Sequence, residues 1–208
     1  MATTDFGDGT VVELPGPARR PAGWVLEAHV PSPGRAPAQV IVSAEAAPSA
    51  PHLWAVLRSA GAEHGGQVDL VAFSTGDHPD GTLLGRAGWE FLGLDWSNQV
   101  GAVRWSVSSG VVGQVYVAPA HRRLRIASKL LLMAAGTRVA LGWASLRSDG
   151  RLTDLGDAWL SRAPDWWRSR VPERSAHLPP MTPVGRTPGI PLRNLVADDL
   201  RQPVTPAR

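Results

Sequence analysis

The chain has 208 residues, of which 43% are hydrophobic, and its 21 Lys and Arg against 18 Asp and Glu give a net charge of +3. The apolar share is that of a globular core and argues against wholesale disorder, and the charge is not that of a dedicated nucleic-acid binder. The chain has no cysteine, which excludes disulfides, thiol nucleophiles and Cys-ligated metal centres.

Residues 1–66 are predicted to form a Pro/Gly-rich region that contains strands. Three short segments rich in β-branched and apolar residues are separated by Pro and Gly, which mark turns. These segments are residues 10–14, 24–30 and 39–42. Residues 49–61 favour a helix instead, because Pro51 lies near a first turn and three apolar side chains share one helical face. The three side chains are Leu53, Trp54 and Leu57.

Residues 67–164 are predicted to form the main domain. Strands are expected at residues 68–73, 101–107, 111–117 and 143–146, and helices at residues 82–92 and 153–161. From His121 the apolar period becomes helical, and Gly142 is expected at or just past the end of that helix.

Residues 165–208 differ in composition from the rest of the chain. Prolines recur throughout this segment, from Pro172 to Pro206, and a chain so interrupted cannot bury a core of its own. We expect an extended, Pro-rich C-terminal tail.

One segment combines a strand, a proline turn and a basic helix start. Residues 115–131 read VYVAPAHRRLRIASKLL, so a strand ends in V-x-P and three arginines precede an apolar helical period. The first amides of a helix lack internal partners, and the helix dipole favours an anion beside them. This junction is therefore suited to binding an anion.

The same segment resembles motif A of the GNAT superfamily of acyl-CoA N-acetyltransferases, in which V-x-P is followed by Q/R-x-x-G-x-G/A and a helix. Arg122 stands at the Q/R position, Arg125 at the first glycine position and Ala127 at the G/A position. The resemblance implies an α/β fold with a GNAT-like mixed central sheet flanked by helices. It also implies acetyl-CoA as the cofactor, with no metal. The residues that it assigns to cofactor binding are Val117, Arg122, Arg123, Arg125, Ile126, Ala127 and Ser128.

The resemblance also implies a geometry around the cofactor. In the family this strand splays from its neighbour, and the amide at the position of Val117 faces the thioester carbonyl. We expect an active enzyme to show an open gap between the strands that end at Val107 and Val117.

Three departures from the family bear on catalysis. Arg125 replaces a glycine, Gln114 stands on the strand where many members carry a glutamate base, and residues 153–161 carry Trp159 where many members carry a tyrosine acid. The candidates for a general base are Asp95 and His121. Each also has an ordinary structural interpretation, as a capping acid and as a loop histidine respectively.

Two functions from different classes remain open. The first is an acetyl-CoA-dependent N-acetyltransferase with a degenerate active site, in the cytoplasm. The second is a catalytically inactive GNAT-fold structural or interaction protein, for example a phage virion (capsid or tail) component held to its neighbours by its Pro-rich ends. Residues 145–159 resemble a late segment of GNAT-like proteins carried by actinobacterial phages and prophages. The missing acid and base, Arg125 and the long Pro-rich ends favour the second function. Its partners would be proteins, bound through the N- and C-terminal extensions in a large assembly, with neither nucleic acid nor a membrane involved.

Overall fold

A five-stranded mixed sheet lies at the centre of the computed structural model, which describes residues 20–59, 66–90, 92–163, 165–169 and 175–178. The strands are β1 Leu26–His29, β2 Gln39–Val42, β3 Trp54–Ser59, β4 Gln67–Phe73, β5 Leu83–Leu84, β6 Gln99–Ser106, β7 Val112–Val117, β8 Arg151–Leu152 and β9 Ala176–His177. The helices are α1 Arg86–Trp89, α2 Ile126–Ala140, α3 Asp154–Leu160 and α4 Asp165–Arg168.

The order of strands in the central sheet is β5-β3-β4-β6-β7. The strands β3, β4, β6 and β7 pair antiparallel with their neighbours, and β5 joins β3 in parallel. The strands β1 and β2 form a separate antiparallel pair, and β8 and β9 a parallel one. The expected α/β class with a mixed central sheet is confirmed.

The helix predicted over residues 49–61 is wrong, because residues 54–59 form β3 in the middle of the sheet. Trp54 and Val56 pack on one face of the sheet, whereas Ala55 and Leu57 pack on the other. A strand that is buried on both faces has a continuous apolar run. Such a run contains i, i+3 and i+4 coincidences that mimic a helical face.

Three further predictions change in extent. The helix predicted over residues 82–92 is a single turn, α1, that follows the two residues of β5. The helix predicted from His121 begins at Ile126, after a 3-10 turn at Pro119–His121. The strand predicted at 143–146 is replaced by one isolated parallel bridge, between Val111 and Arg147.

The helix α2 lies between the central sheet and the β1–β2 pair. On the sheet side Gly101 of β6 permits close packing, since a Cβ there would lie 2.9 Å from Leu130 Cδ1. On the other side Gly136 faces Val40 of β2, where a Cβ would lie 2.7 Å from Val40 Cγ1. Eleven of the fifteen residues of α2 are buried, so the helix is enclosed on two sides instead of resting on a surface. The predicted N-terminal region and the predicted main domain, whose boundary was placed after residue 66, therefore contribute to one hydrophobic core.

The opposite face of the sheet is only partly covered. Trp54 and Phe73 stack with their ring centroids 4.5 Å apart, and Trp89 of α1 packs against this cluster. Trp96, in the 3-10 turn Trp96–Asn98, contacts Phe73 and Trp89 at centroid distances of 5.9 and 5.8 Å. Beyond this cover, toward β7, the sheet face is open and polar.

The described part of the C-terminal region packs against the domain. Trp167 of α4 is 3% exposed and contacts Trp159 of α3 at a centroid distance of 6.1 Å. The predicted strand at residues 10–14 and most of the predicted tail, 165–208, lie outside the described residues. None of the helices in the described segments is long and apolar enough to span a membrane.

Candidate functional site

The junction between β7 and α2 carries the residues that the sequence assigns to cofactor binding. β7 ends at Val117, a 3-10 turn occupies Pro119–His121, and α2 begins at Ile126. The amide of Lys129 donates to the carbonyl of Arg125 over 3.0 Å, which closes the first turn of the helix. The amides of Ile126, Ala127 and Ser128 lie at the start of the helix, where the helix itself provides no carbonyl to accept their hydrogen bonds.

The amide of Val117 points to the outer edge of β7. The Ala118 amide donates to Val100 of β6 over 2.9 Å, and neighbouring residues of an antiparallel strand point to opposite sides. Val117 pairs opposite Gly101, so its own amide and carbonyl face away from β6. In the described structure the partner at that edge is the backbone of Arg147. It forms a bridge with Val111, and its carbonyl accepts from the Val112 amide over 2.8 Å.

The expected gap between the strands ending at Val107 and Val117 is not present. The strands β6 and β7 pair without a gap from Gly101 to Arg104 of β6, with an irregularity between Arg104 and Trp105. The prediction is wrong because those two strands are successive members of an antiparallel hairpin and are hydrogen-bonded to each other. The open edge is the outer one, beside the segment that contains Arg147.

The arginines at the helix start have different roles. Arg122 donates through Nε to the Val117 carbonyl over 3.3 Å, which holds its side chain beside the end of β7. Arg123 and Arg125 are exposed. Both have left-handed backbone conformations, with φ of 67° and 56°, and Arg125 occupies the position before α2 with no side-chain cap. No acidic residue lies in the first turn of α2.

The remaining predicted cofactor residues lie in the first turn of α2. Ile126 is 1% exposed and packs in the core, so only its backbone amide is open to a ligand role. Ala127 is half-buried. Ser128 accepts a hydrogen bond at Oγ from Trp159 Nε1 over 3.1 Å, so α3 lies against this turn. The first turn of α2 thus offers an anion its backbone amides and the neighbouring guanidinium groups.

The two candidate bases lie apart from one another in the fold. Asp95 caps the turn Trp96–Asn98 and accepts from the Ser97 amide over 2.9 Å. The hydrogen bonds from Ser97 lower the pKa of the Asp95 carboxyl, which makes it a weaker base. This turn packs through Trp96 on the sheet face away from α2. His121 lies in the 3-10 turn before α2, half-buried, and its amide donates to Ala118 over 2.8 Å.

A second feature, which the sequence did not reveal, is a cleft of about 300 Å³ on the sheet face away from α2. We call it the polar cleft. Its lining residues are Arg58, Asp69, Val71, Gln99, Ala102, Arg104, Gln114 and Tyr116. Six of these side chains are polar and two are apolar, and only the register between the four strands brings them together.

The polar cleft is organised around one buried carboxylate. Asp69 accepts from Arg104 Nε over 2.5 Å and from Arg104 Nη2 over 2.9 Å, in a forked pair. Arg58 Nη2 lies 3.9 Å from the same carboxylate. The Asp69 carboxylate raises the pKa of the Arg104 guanidinium above its usual range. Among the described residues no group of three or more His, Asp or Glu is placed to hold a metal ion.

The chain matches no protein-family model, no curated protein and no solved structure. Its function must therefore be argued from the two sites themselves.

Proposed function

We propose that this chain is a GNAT-like protein that binds acetyl-CoA at the start of α2 and acts as an N-acetyltransferase with a degenerate active site. The observation that carries the proposal is the backbone at Arg125, which has φ 56° and ψ 15° although it is not a glycine. The motif has a glycine at this position, and glycine adopts that conformation most readily. The backbone at Arg125 therefore has a conformation that a glycine would adopt without strain.

The strand–helix geometry supports the same proposal. The strands β3, β4, β6 and β7 lie side by side and antiparallel in the sheet, and α2 follows β7 along the chain. After α2, Arg147 forms a parallel bridge to Val111, which precedes β7. The outer edge near Val117 is left open by this arrangement within the described residues.

The residues at this junction fit a pyrophosphate and a thioester. Amides without intrahelical partners in the first turn of α2, the absence of an acid there and three nearby arginines all favour an anion. Acetyl-CoA, when bound, supplies an activated acyl group to an attacking amine. Arg122 and the amides of residues 126–128 would hold the phosphates, and the outward amide of Val117 would donate to the carbonyl oxygen.

A second candidate is a GNAT-fold structural or interaction protein without catalysis, such as a phage virion component. It is favoured by the absence of a gap between β6 and β7 and by the residues considered for the acid and base roles. Asp95 is engaged in capping, Gln114 is an amide that cannot act as a base, and the Trp159 indole is bonded to Ser128. This candidate would bind its neighbours through the Pro-rich ends.

Calorimetric titration of the full chain with acetyl-CoA tests the proposal. We expect saturable binding with a micromolar Kd, and Arg122→Gln should weaken it about tenfold, since a charge-assisted phosphate contact is worth about 1.5–3 kcal/mol. The matched control is Arg86→Gln, because Arg86 is 84% exposed and pairs with Glu90 in α1 on the other side of the sheet. This control should bind as the parent chain does.

The outcomes separate the two candidates. Binding followed by acetylation of an amine supports the enzyme, whereas no saturable binding overturns it. Absence of binding together with recovery of the protein in a large particle would support the structural candidate. Binding that Arg122→Gln leaves unchanged would contradict the placement of the site at the start of α2.

A further inference from the structure

A row of charged and polar side chains crosses four strands on the sheet face away from α2. The register places Arg58 of β3 opposite Asp69 of β4, Asp69 opposite Arg104 of β6, and Arg104 opposite Gln114 of β7. Directly opposite residues point to the same face of a sheet and lie about 5 Å apart at Cβ. The four side chains therefore form a continuous line along the polar cleft.

The charges in this row do not balance. Among the described residues that line the polar cleft, Asp69 is the one acid, with a side chain that is 9% exposed, against two arginines. A buried carboxylate must be paired, and Arg104 meets that need with two hydrogen bonds. Arg58 is left with one long contact of 3.9 Å to the same carboxylate. The polar cleft thus carries a surplus positive charge.

The surplus charge is held in place and is accessible. The guanidinium of Arg58 lies 5.4 Å from the ring centroid of Trp96, which restrains it by a cation–π contact. The side chains of Arg58 and Arg104 are 38% and 35% exposed. A guanidinium carries five N–H donors, and Arg104 uses two of its donors on Asp69. Both arginines therefore keep donors for a ligand.

We propose that the polar cleft is a binding site for a small oxyanion, namely the carboxylate or phosphate group of a small ligand. The two arginines supply the charge, and their planar forks match the oxygen geometry of both groups. Gln99, Gln114 and Tyr116 add neutral hydrogen-bonding groups around the same space, and Val71 and Ala102 provide an apolar floor. A volume of about 300 Å³ is at the small end of ligand pockets. The polar cleft is separate from the proposed phosphate site at the start of α2, because α2 lies on the other face of the sheet.

The test is a titration of the full, isotope-labelled chain with succinate and, separately, with inorganic phosphate at constant ionic strength. Backbone amide NMR signals of Gln99, Gln114 and Tyr116 report on the site directly. We expect saturable shifts of these signals with at least one of the two anions, and the stronger binder identifies the ligand group. Arg58→Gln should weaken the binding at least tenfold, since it removes the cation that Asp69 does not neutralise.

Arg58→Gln leaves the Arg104–Asp69 pair intact, so its unfolding curve should remain close to that of the parent chain. The matched control is Arg35→Gln, an exposed arginine in the loop between β1 and β2, which should bind both anions as the parent does. The proposal is overturned if neither anion produces saturable shifts at these three residues, or if a folded Arg58→Gln binds as tightly as the parent.

Discussion

Backbone conformation at single residues distinguishes the start of α2 from the rest of the described chain. Three non-glycine residues in the described segments have positive φ, and two of them, Arg123 and Arg125, precede this helix. A left-handed conformation costs an L-residue about 1–2 kcal/mol because its Cβ approaches a carbonyl oxygen. Strain of this kind persists where the surrounding structure enforces it, and such places are often functional.

We expect Arg125→Gly to stabilise the protein by about 0.5–1 kcal/mol, because removing the Cβ relieves the strain by more than the unfolded chain gains in freedom. Urea unfolding of the two chains measures the difference. Arg122→Gly is the matched control, since Arg122 has φ −69° and ψ 156°, and it should be neutral or destabilising. A loss of stability in Arg125→Gly would show that the arginine side chain contributes more than its backbone costs.

At the scale of elements, an ionic cluster joins β1 to the segment that precedes it. Glu27 of β1 accepts from Arg20 Nε over 2.7 Å, and His29 Nε2 lies 2.5 Å from the other carboxylate oxygen. The hydrogen bond from Arg20, with a smaller contribution from His29, lowers the pKa of Glu27 from its usual 4.5 to about 2. The folded state therefore favours the ionised carboxylate more than the unfolded state does.

Glu27→Gln should lower the free energy of unfolding at pH 7 by about 1 kcal/mol, a value reduced for the solvent exposure of the pair. Because the folded pKa is the lower one, the contribution is complete above about pH 4.5 and is lost as the pH falls toward 2. Denaturant curves at pH 7 and pH 3 should show the difference shrinking, and 1 M salt should reduce it at pH 7.

The control for this experiment is Glu90→Gln, which removes an exposed i, i+4 pair with Arg86. Such a pair contributes about 0.3–0.5 kcal/mol, so the control should have the smaller effect at pH 7. An equal effect of Glu27→Gln at pH 7 and pH 3 would contradict the lowered pKa.

At the scale of the whole molecule, one buried ion pair connects parts of the chain that are distant in sequence. Lys129 of α2, the chain's single lysine, is 4% exposed. Its Nζ donates to Asp80 Oδ1 over 2.7 Å and to the Pro51 carbonyl over 2.8 Å. Asp80 Oδ1 also accepts from the Leu53 amide over 2.8 Å. These bonds join α2 to the segments that precede β3 and β5.

We expect Lys129→Met to destabilise the protein by about 2–3 kcal/mol, because Asp80, which is partly exposed, and the Pro51 carbonyl are then left without their cation. Asp80→Asn should lower the free energy of unfolding less in the Lys129→Met variant than in the parent chain. A double-mutant cycle of unfolding free energies measures this difference. Arg35→Met, at an exposed position, should change the stability by less than about 0.5 kcal/mol. Additive effects of the two changes would contradict the role of the pair.

Local sequence patterns predicted several elements correctly, and their errors have a common cause. Segments 68–73, 101–107 and 111–117 were correctly identified as β4, β6 and β7. The alternation of β6 is that of a strand, and the apolar run of β4 is short and bounded by glycine-containing turns. The apolar run of β3 was interpreted as a helix because both faces of that strand are buried in the folded protein. Burial on two sides depends on neighbours from other parts of the chain, which a local pattern does not contain.

The sequence by itself determined the chemistry available at the start of α2, since V-x-P, three arginines and a helix start are adjacent along the chain. The backbone shape at Arg125 and the open outer edge of β7 were decided by the tertiary structure. The polar cleft belongs wholly to the tertiary structure, because Arg58, Asp69 and Arg104 meet only through strand register. Cross-strand contacts depend on how distant segments align, and that alignment is set by burial of the whole sheet.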